Sequence, residues 1–344
     1  MDQQTATNES AIRASEGQEG ENKRGVVQWF LMTFVNNRAV SLLVLIVLIS
    51  IVMTIFFPRS YFTMSNLGSV LLSLSFQGIL AVGMMYLMVG GAFDISVGSN
   101  AAVGGAVAAF LMKTAGLPMP IAILGGVATS AFAGLINGFI VARIGVNALV
   151  TTLAMMGILR GFSILIAGSG IVNLPDAFLG FGQEIVFGLQ LPVYYMIILA
   201  VLFGFILAKT RYFRQLYFIG GNRRAAELSG INVTTTLIVS FTLMGALAGF
   251  AGITVASRLN AAIGTIAQGV ELRVIAAVVV GGGSLAGGRG NVAGAVMGAL
   301  FMGLVNNVMV IAGVNVYWQS IVVGLVLLTA VIIDVIVQRR FATR

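Results

Sequence analysis

Long apolar stretches recur along the chain with short polar breaks between them. A hydrocarbon core about 30 Å thick takes about 20 apolar residues per helix at 1.5 Å each. That ruler marks spans over roughly 40–57, 70–89, 98–113, 120–142, 147–168, 191–208, 234–256 and 316–336. Two further runs are marginal: 272–283 is short, and 291–312 is broken by glycine. The pattern predicts an all-α polytopic membrane protein of about ten transmembrane helices. In chain order the third and eighth are short enough to be discontinuous.

Basic residues orient these spans, because Lys and Arg collect in cytoplasmic loops. With the N-terminus inside and strict alternation, Arg13, Lys23, Arg24, Arg38, Arg143, Lys209, Arg211, Arg214, Arg223, Arg224, Arg289, Arg339, Arg340 and Arg344 fall inside. Arg59, Lys113, Arg258 and Arg273 fall outside, and Arg160 lies within a span. The opposite orientation reverses this bias, so both termini are expected in the cytoplasm. Residues 1–35 read as a disordered cytoplasmic tail, 36–337 as the transmembrane domain with a cytoplasmic loop at 209–233, and 338–344 as a second short tail. The acidic start, with no early apolar run, does not read as a signal peptide.

Composition agrees and narrows the chemistry. Of 344 residues 58% are hydrophobic and only 9% charged, against about a quarter charged in a soluble domain. With no His and no Cys, the chain offers no imidazole or thiolate metal site, no catalytic triad and no disulfide. The net charge of +8 is spread as an orientation signal, not clustered as nucleic-acid binding requires. The run G-G-G-S-L-A at 281–286 imitates a dinucleotide fingerprint, but 291–333 holds no acidic residue to bind the ribose. Lys113-Thr114 and Lys209-Thr210 lack the glycine that a phosphate-binding loop places before its lysine. No catalytic residues, cofactor or metal are expected in this chain, and any ATP-Mg would be bound by a partner.

Glycine is the second signal. The 44 glycines are nearly double the usual share. Gly134 with Gly138, Gly245 with Gly249, and Gly294 with Gly298 have the spacing that lets membrane helices approach closely. The runs from Gly90-Gly91 to Gly98 and from Gly281 to Gly290 are too rich in glycine for regular helix, and read as re-entrant or unwound segments at cytoplasmic ends of spans. The charged island 209–231 fits a short amphipathic helix beginning after Asn222 and stopping at Gly230. It reads either as an ordinary positive-inside loop or as a docking helix for a cytoplasmic partner. Asp94 has two readings as well, a functional intramembrane acid or a cap on the next helix. Arg160 reads as snorkelling or carbonyl-paired in preference to a ligand.

Four ordered segments carry a family resemblance: G-G-A-F-D-I-S-V-G-S at 90–99, N-G-F-I-V-A-R-I-G-V-N-A-L-V-T-T-L-A-M-M-G-I-L-R-G at 137–161, G-G-N-R-R-A-A-E-L-S-G-I at 220–231, and V-V-V-G-G-G-S-L-A-G-G-R-G at 278–290. Over roughly 60–336 the chain resembles the permease subunits of bacterial ABC importers for monosaccharides, of the ribose, xylose, arabinose and galactose type. It departs where Ala92-Phe93 replaces a single residue before Asp94. The resemblance implies a multi-pass protein of the bacterial inner membrane that pairs with a second copy or a related permease. It also implies a cytoplasmic ABC ATPase, a periplasmic sugar-binding protein, and no nucleic acid. Residues Gly220, Gly221, Asn222, Arg223, Arg224, Ala225, Ala226, Glu227, Ser229 and Gly230 match the family's ATPase-coupling loop. Inverted repeats with short or broken helices, common among transporters, fit ten spans, although the letters repeat only G-V-N at 145 and 313.

A neutral sugar needs hydroxyl and amide partners along its path without a deep well. In-span candidates are Gln77, Asn137, Asn147, Thr151, Thr152, Asn306, Asn307 and Gln319, for each of which an interhelical hydrogen bond is the commoner reading; Asp94 stands beside them, as a functional acid or a helix cap. The expected function is translocation of a monosaccharide or related small polyol, powered by ATP hydrolysis in a separate subunit. The alternative is a stand-alone secondary carrier or channel, for which only Asp94 and Asp334 offer membrane carboxylates. An intramembrane enzyme lacks any catalytic set.

Overall fold

In a bilayer every backbone donor and acceptor must be satisfied inside the chain, which leaves helices as the economical element for these apolar runs. The structure, a computed structural model, describes residues 38–342, with side chains over 40–335. The predicted tail 1–35 and the basic residues at 13, 23, 24 and 344 lie outside the described residues. The helices in chain order are α1 (Arg38–Phe56), α2 (Met64–Val89), α3 (Val97–Lys113), α4 (Met119–Phe139), α5 (Ala148–Ala167), α6 (Asp176–Gln183), α7 (Leu191–Lys209), α8 (Arg211–Gly221), α9 (Arg223–Leu228), α10 (Val233–Leu259), α11 (Val270–Val280), α12 (Val292–Ile311) and α13 (Val316–Ala342). Among the described residues the only strands are four pairs of residues, joined antiparallel as Ile171–Val172 with Ala261–Ala262 and Ile185–Val186 with Leu189–Gln190.

Seven helices are long and apolar enough to cross a membrane, and α1 and α3 are shorter apolar helices. The chain is thus an all-α polytopic membrane protein, and each predicted span has a helix beneath it. Two boundaries differ in a way that matters. The eighth span is not a crossing helix: α11 has 11 residues, about 16 Å, roughly half of the hydrocarbon core. The last helix continues to Ala342, into the predicted tail 338–344. The third span is one unbroken helix over Val97–Lys113.

α2 forms the centre. Every residue from Gln77 to Val89 is buried, which marks a helix enclosed on all sides. α10 is the second buried helix, and glycine sets its contacts. Gly134 of α4 faces the Phe241 carbonyl and Gly245, while Gly245 and Gly249 face Ser130 of α4. Gly252 faces the Ala101 carbonyl of α3. The third predicted pair works elsewhere, with Gly294 and Gly298 of α12 against Gly281 and the Ala277 carbonyl. With lipid tails as apolar as leucine, such backbone approach supplies the packing that drives association.

The bundle has two distinct ends. At one, α6 and the paired residues 171–172 and 261–262 cover the end of α10. Here Leu174 N–H donates to Asn260 Oδ1 (2.8 Å) and Lys113 Nζ to the Asn173 carbonyl (2.8 Å). At the other end lie the turns 90–96 and 281–291 with helices α8 and α9. The non-helical segment 263–269 leads from the first end to the start of α11, where a methyl on Gly98 would sit 2.5 Å from the Ala267 carbonyl. The N-termini of α3 and of the half-helix α11 therefore meet. Arg160 holds this segment by donating to the carbonyls of Gly264 and Ile266, each at 2.8 Å; it is carbonyl-paired.

Candidate functional site

The charged island is built as two helices, where the letters suggested one. R-Y-F-R-Q-L-Y-F-I-G-G forms α8 and R-R-A-A-E-L forms α9, with the break at Asn222. Asn222 is extended (φ −157°, ψ 100°), and its side chain accepts from Ala225 N–H at 3.0 Å, the predicted N-cap. Gly230 turns the chain away at φ +81°, where glycine carries no steric cost. Leu216, Ile219 and Ala226 face inward and are buried. Phe218 and Leu228 stand 63% and 77% exposed on the outer side. A groove of about 410 Å³ runs past Tyr217, Phe218, Gly221, Asn222, Ala225 and Ser229. Glu227 pairs with Arg223 (3.4 Å) and Arg224 (3.5 Å) on the surface, exposed contacts worth less than about 1 kcal/mol each. An apolar groove on a helix pair that also carries exposed arginines suits another protein's surface.

Of the ten residues matched to the coupling loop, Gly221, Asn222, Arg223, Arg224, Ala225, Glu227, Ser229 and Gly230 are exposed, while Ala226 is buried and Gly220 half-buried. Gly220 points inward onto the turns. Its Cβ position meets the Val89 carbonyl, Gly288 N and, at 3.0 Å, Gly287 Cα. Beside it Tyr217 donates its phenol to the Gly290 carbonyl at 2.9 Å. Burial pushes the Tyr217 phenol above its ordinary pKa, and Arg214 pulls it partly back.

The turn 90–96 is braced from within. Asp94 is fully buried. Its Oδ1 accepts from Ser96 N–H (2.7 Å) and the Ser96 hydroxyl, and its Oδ2 accepts from Asn137 Nδ2 (3.3 Å). Asn137 Nδ2 also reaches Ser96 Oγ (3.0 Å), and Ile95 N–H donates to Thr152 Oγ1 (3.1 Å). An Asp side chain thus folds the turn that leads into α3 by accepting from Ser96 N–H, while Ser96, the N-cap of α3, makes no side-chain capping bond. Asp94→Ala leaves three buried donor contacts without their acceptor, each worth about 1.5–3 kcal/mol where a charged group is involved. The expected result is a lower thermal midpoint for the detergent-solubilised chain by circular dichroism, with Asp94→Asn intermediate. An alanine variant as stable as its parent would refute the bracing.

Four predicted path residues thus come together: Asp94, Asn137, Thr151 and Thr152. Val103, Ala133 and Met155 form one apolar cluster across α3, α4 and α5. Ser99, Asn137 and Thr151 stand four residues from them toward the turn, one helical turn away on the same faces. Ser99 Oγ, Asn137 Oδ1 and Thr151 Oγ1 are buried and without a hydrogen-bond partner among the described residues. One turn along α3, Asn100 Nδ2 donates to the Ser130 carbonyl (3.0 Å) while Ser130 Oγ donates to the Asn100 carbonyl (3.1 Å).

The remaining candidates lie apart. Asn307 and Asn66 exchange amide bonds at 2.7 and 3.3 Å, tying α12 to α2 at the end opposite the turns. Gln77 on α2 and Asn306 on α12 each keep a buried, unpartnered side-chain oxygen. Asn147 is exposed and caps α5 through Leu149 N–H (2.8 Å), and Gln319 Nε2 donates to the Val314 carbonyl (3.2 Å). Sequence reasoning missed Ser96, Ser99, Asn100 and Ser130. The available signal was density, since Asp94, Ser96, Ser99 and Asn100 fall within seven residues of an otherwise apolar region.

A family model described as "Branched-chain amino acid transport system / permease component" matches residues 66–331. The chain is 40% identical over 299 residues to the ribose import permease protein of Escherichia coli strain K12, covering 86% of this chain and 92% of that protein. It is 36% identical over 294 residues to the L-arabinose transport system permease protein of the same strain, covering 85% and 89%. With the ribose import permease protein of Bacillus subtilis strain 168 it shares 34% identity over 296 residues, covering 85% and 90%. No solved structure was found to match the chain.

Proposed function

On the premise that the chain belongs to the permease-component family of ABC importers, we propose that it is the membrane subunit through which a monosaccharide or related small polyol enters the cell, driven by a separate ATPase. The observation that carries this reading is 40% identity across 86% of the chain to a ribose import permease. The α8–α9 groove fits it, as an apolar recess for a soluble subunit at the end that carries the basic loops. That end is the cytoplasmic one, with both termini beside it in the bacterial inner membrane. A second permease, an ABC ATPase and a periplasmic sugar-binding protein complete the importer, and ATP-Mg is bound by the ATPase.

The path runs past the polar layer under the turn 90–96. Ser99, Asn137 and Thr151 hold buried oxygens without a hydrogen-bond partner among the described residues, and sugar hydroxyls are suitable partners for them. Asp94 and Asn137 fold that segment, and Thr152 pins it to α5. Gln77, Asn306 and Asn307 belong to the outer part of the same route, and Asn147 to its cytoplasmic mouth.

A stand-alone secondary carrier needs membrane carboxylates free to bind a coupling ion. Asp94 is engaged by Ser96 and Asn137, and Asp334 accepts from the Ser284 hydroxyl at 3.1 Å. Reconstitution separates the two readings. Vesicles holding this chain with its ATPase and sugar-binding protein are expected to take up labelled ribose or arabinose only with ATP. Accumulation by vesicles holding this chain alone, down an ion gradient, would establish the secondary carrier instead.

A further inference from the structure

α8 touches the two unwound turns through three separate side-chain positions. Leu216, fully buried, underlies the first turn, so closely that a methyl on Gly90 would lie 2.9 Å from its Cδ2. Tyr217 holds the second turn through the Gly290 carbonyl at 2.9 Å. Gly220 lies at the seam between the turns. There the last carbonyl of α2, at Val89, accepts from Gly288 N–H at 2.9 Å. The Gly220 Cβ position overlaps that carbonyl, and a methyl on Gly287 would stand 2.7 Å from Gly220 Cα. Gly91, Gly287 and Gly288 have φ of +77°, +92° and +73°, conformations that keep side chains out of the seam. Gly221, next in the chain, faces open space.

Across from this seam the packing is open. A cavity of about 500 Å³ separates Ala92, Phe93, Gly220 and Ala286 from Val141 and the segment 145–149. The far wall carries its own irregularity. α4 ends in a π-helical turn over Ile140–Ile144, closed by Gly145 at φ +90°, a feature that recurs at functional sites.

We propose that Gly220 keys α8 into both broken-helix turns, so that α8, the turn 90–96 and the turn 281–290 move as one body against the α4–α5 connection across the cavity. This deepens the importer reading and rests on it, since the ATPase must dock on the outer face of α8 and α9. Backbone seated on backbone has no flexible side chain to absorb a displacement, and close-packed contacts transmit motion as rigid shifts. The stroke of the ATPase then arrives at the two broken helices directly, and the wall at 141–149 is where the inward route opens. Gly220 is a positioning residue; it touches neither sugar nor nucleotide.

The test uses the whole importer in vesicles. Gly220→Ala is expected to keep ATPase association and ATP hydrolysis while sugar uptake per ATP falls about tenfold, within the ordinary range of coupling between two sites. Gly68→Ala, a helix glycine facing open space, is the control. Uptake per ATP at the parental level in Gly220→Ala overturns the proposal. Loss of ATPase association overturns it too, because the residue would then belong to the docking face. Failure of the parent importer to take up sugar with ATP counts against the importer reading instead. If the alanine variant does not accumulate, spin labels decide. The chain has no cysteine, so Arg214→Cys with Ala286→Cys labels the keyed body alone, and Arg214→Cys with Val146→Cys spans the cavity. An unchanged first distance and a changed second one between nucleotide-free and ATP-trapped states support the key; a changed first distance refutes it.

Discussion

A Gly221→Trp chain is expected to reach the membrane at the parental level and to co-purify with none of its ATPase. A side chain at this position enters open space, with no atom within 4 Å of its Cβ position, so the indole leaves the permease fold undisturbed. Gly221 lines the groove together with Phe218, Asn222 and Ala225, so an indole there takes up the space a docked subunit would fill. At the centre of a subunit contact such an obstruction costs what a lost hot spot costs, about 2–4 kcal/mol or more, which is on the order of 30-fold to 1,000-fold in affinity. Removal of residues 222–230 is expected to act the same way by deleting α9. Only Ala226 of that segment is buried, so most of what is lost faces outward. Normal co-purification of the ATPase with both variants would remove α8 and α9 from the docking surface. The Gly220 result reads a different contact, since the Gly220 Cβ position meets Val89, Gly287 and Gly288 while that of Gly221 meets no atom within 4 Å.

Adjacent residues with opposite roles illustrate where the sequence stops being legible. Helix positions followed from the apolar runs because a bilayer admits few other solutions. The unwound turns followed from clustered glycine, because a helix cannot tolerate so many. What one chain of letters does not carry is distance. Asp94, Asn137 and Thr152 are 43 and 58 positions from Asp94 to the latter two, and nothing in their spacing says that they share one network while Gln77 and Asn306 do not. The same limit applies to the half-helix, whose shortness was legible but whose place was not. V-E-L-R-V-I-A-A-V-V-V with its glycines reads as a short span, and only the contact of its start with Gly98 shows that it begins partway through the bundle. α8 escaped notice because the letters mark a helix start only at Asn222, and the inward packing of Leu216 and Ile219 that makes the preceding stretch helical is a matter of contact, not of sequence.

Gly252→Leu is expected to destabilise the helix bundle severely. A methyl at this position overlaps the Ala101 carbonyl and lies 2.9 Å from Ala101 Cα, so α3 must move as a whole. It has nowhere to go. Gly105 of α3 is held against the Gly252 carbonyl, where a methyl would stand 2.9 Å away, and Gly104 against Gly249 Cα at 2.5 Å. Gly126 of α4 closes the third side against the Gly104 carbonyl at 2.5 Å. Overpacking usually costs about 1–3 kcal/mol because side chains can change rotamer, but here every obstacle is backbone, and α3, α4 and α10 separate along their length. A loss of about 3 kcal/mol or more is expected, read as a lower thermal midpoint by circular dichroism and a lower membrane level of the chain. Gly68→Ala, with open space at its Cβ position, is expected to raise helix stability by about 0.5–1 kcal/mol through propensity alone. A Gly252→Leu chain that melts with its parent would mean that the glycines of α3, α4 and α10 do not set the helix spacing. The seam at Gly220 would then lose its basis too, since it rests on the same rule that backbone packed on backbone does not yield.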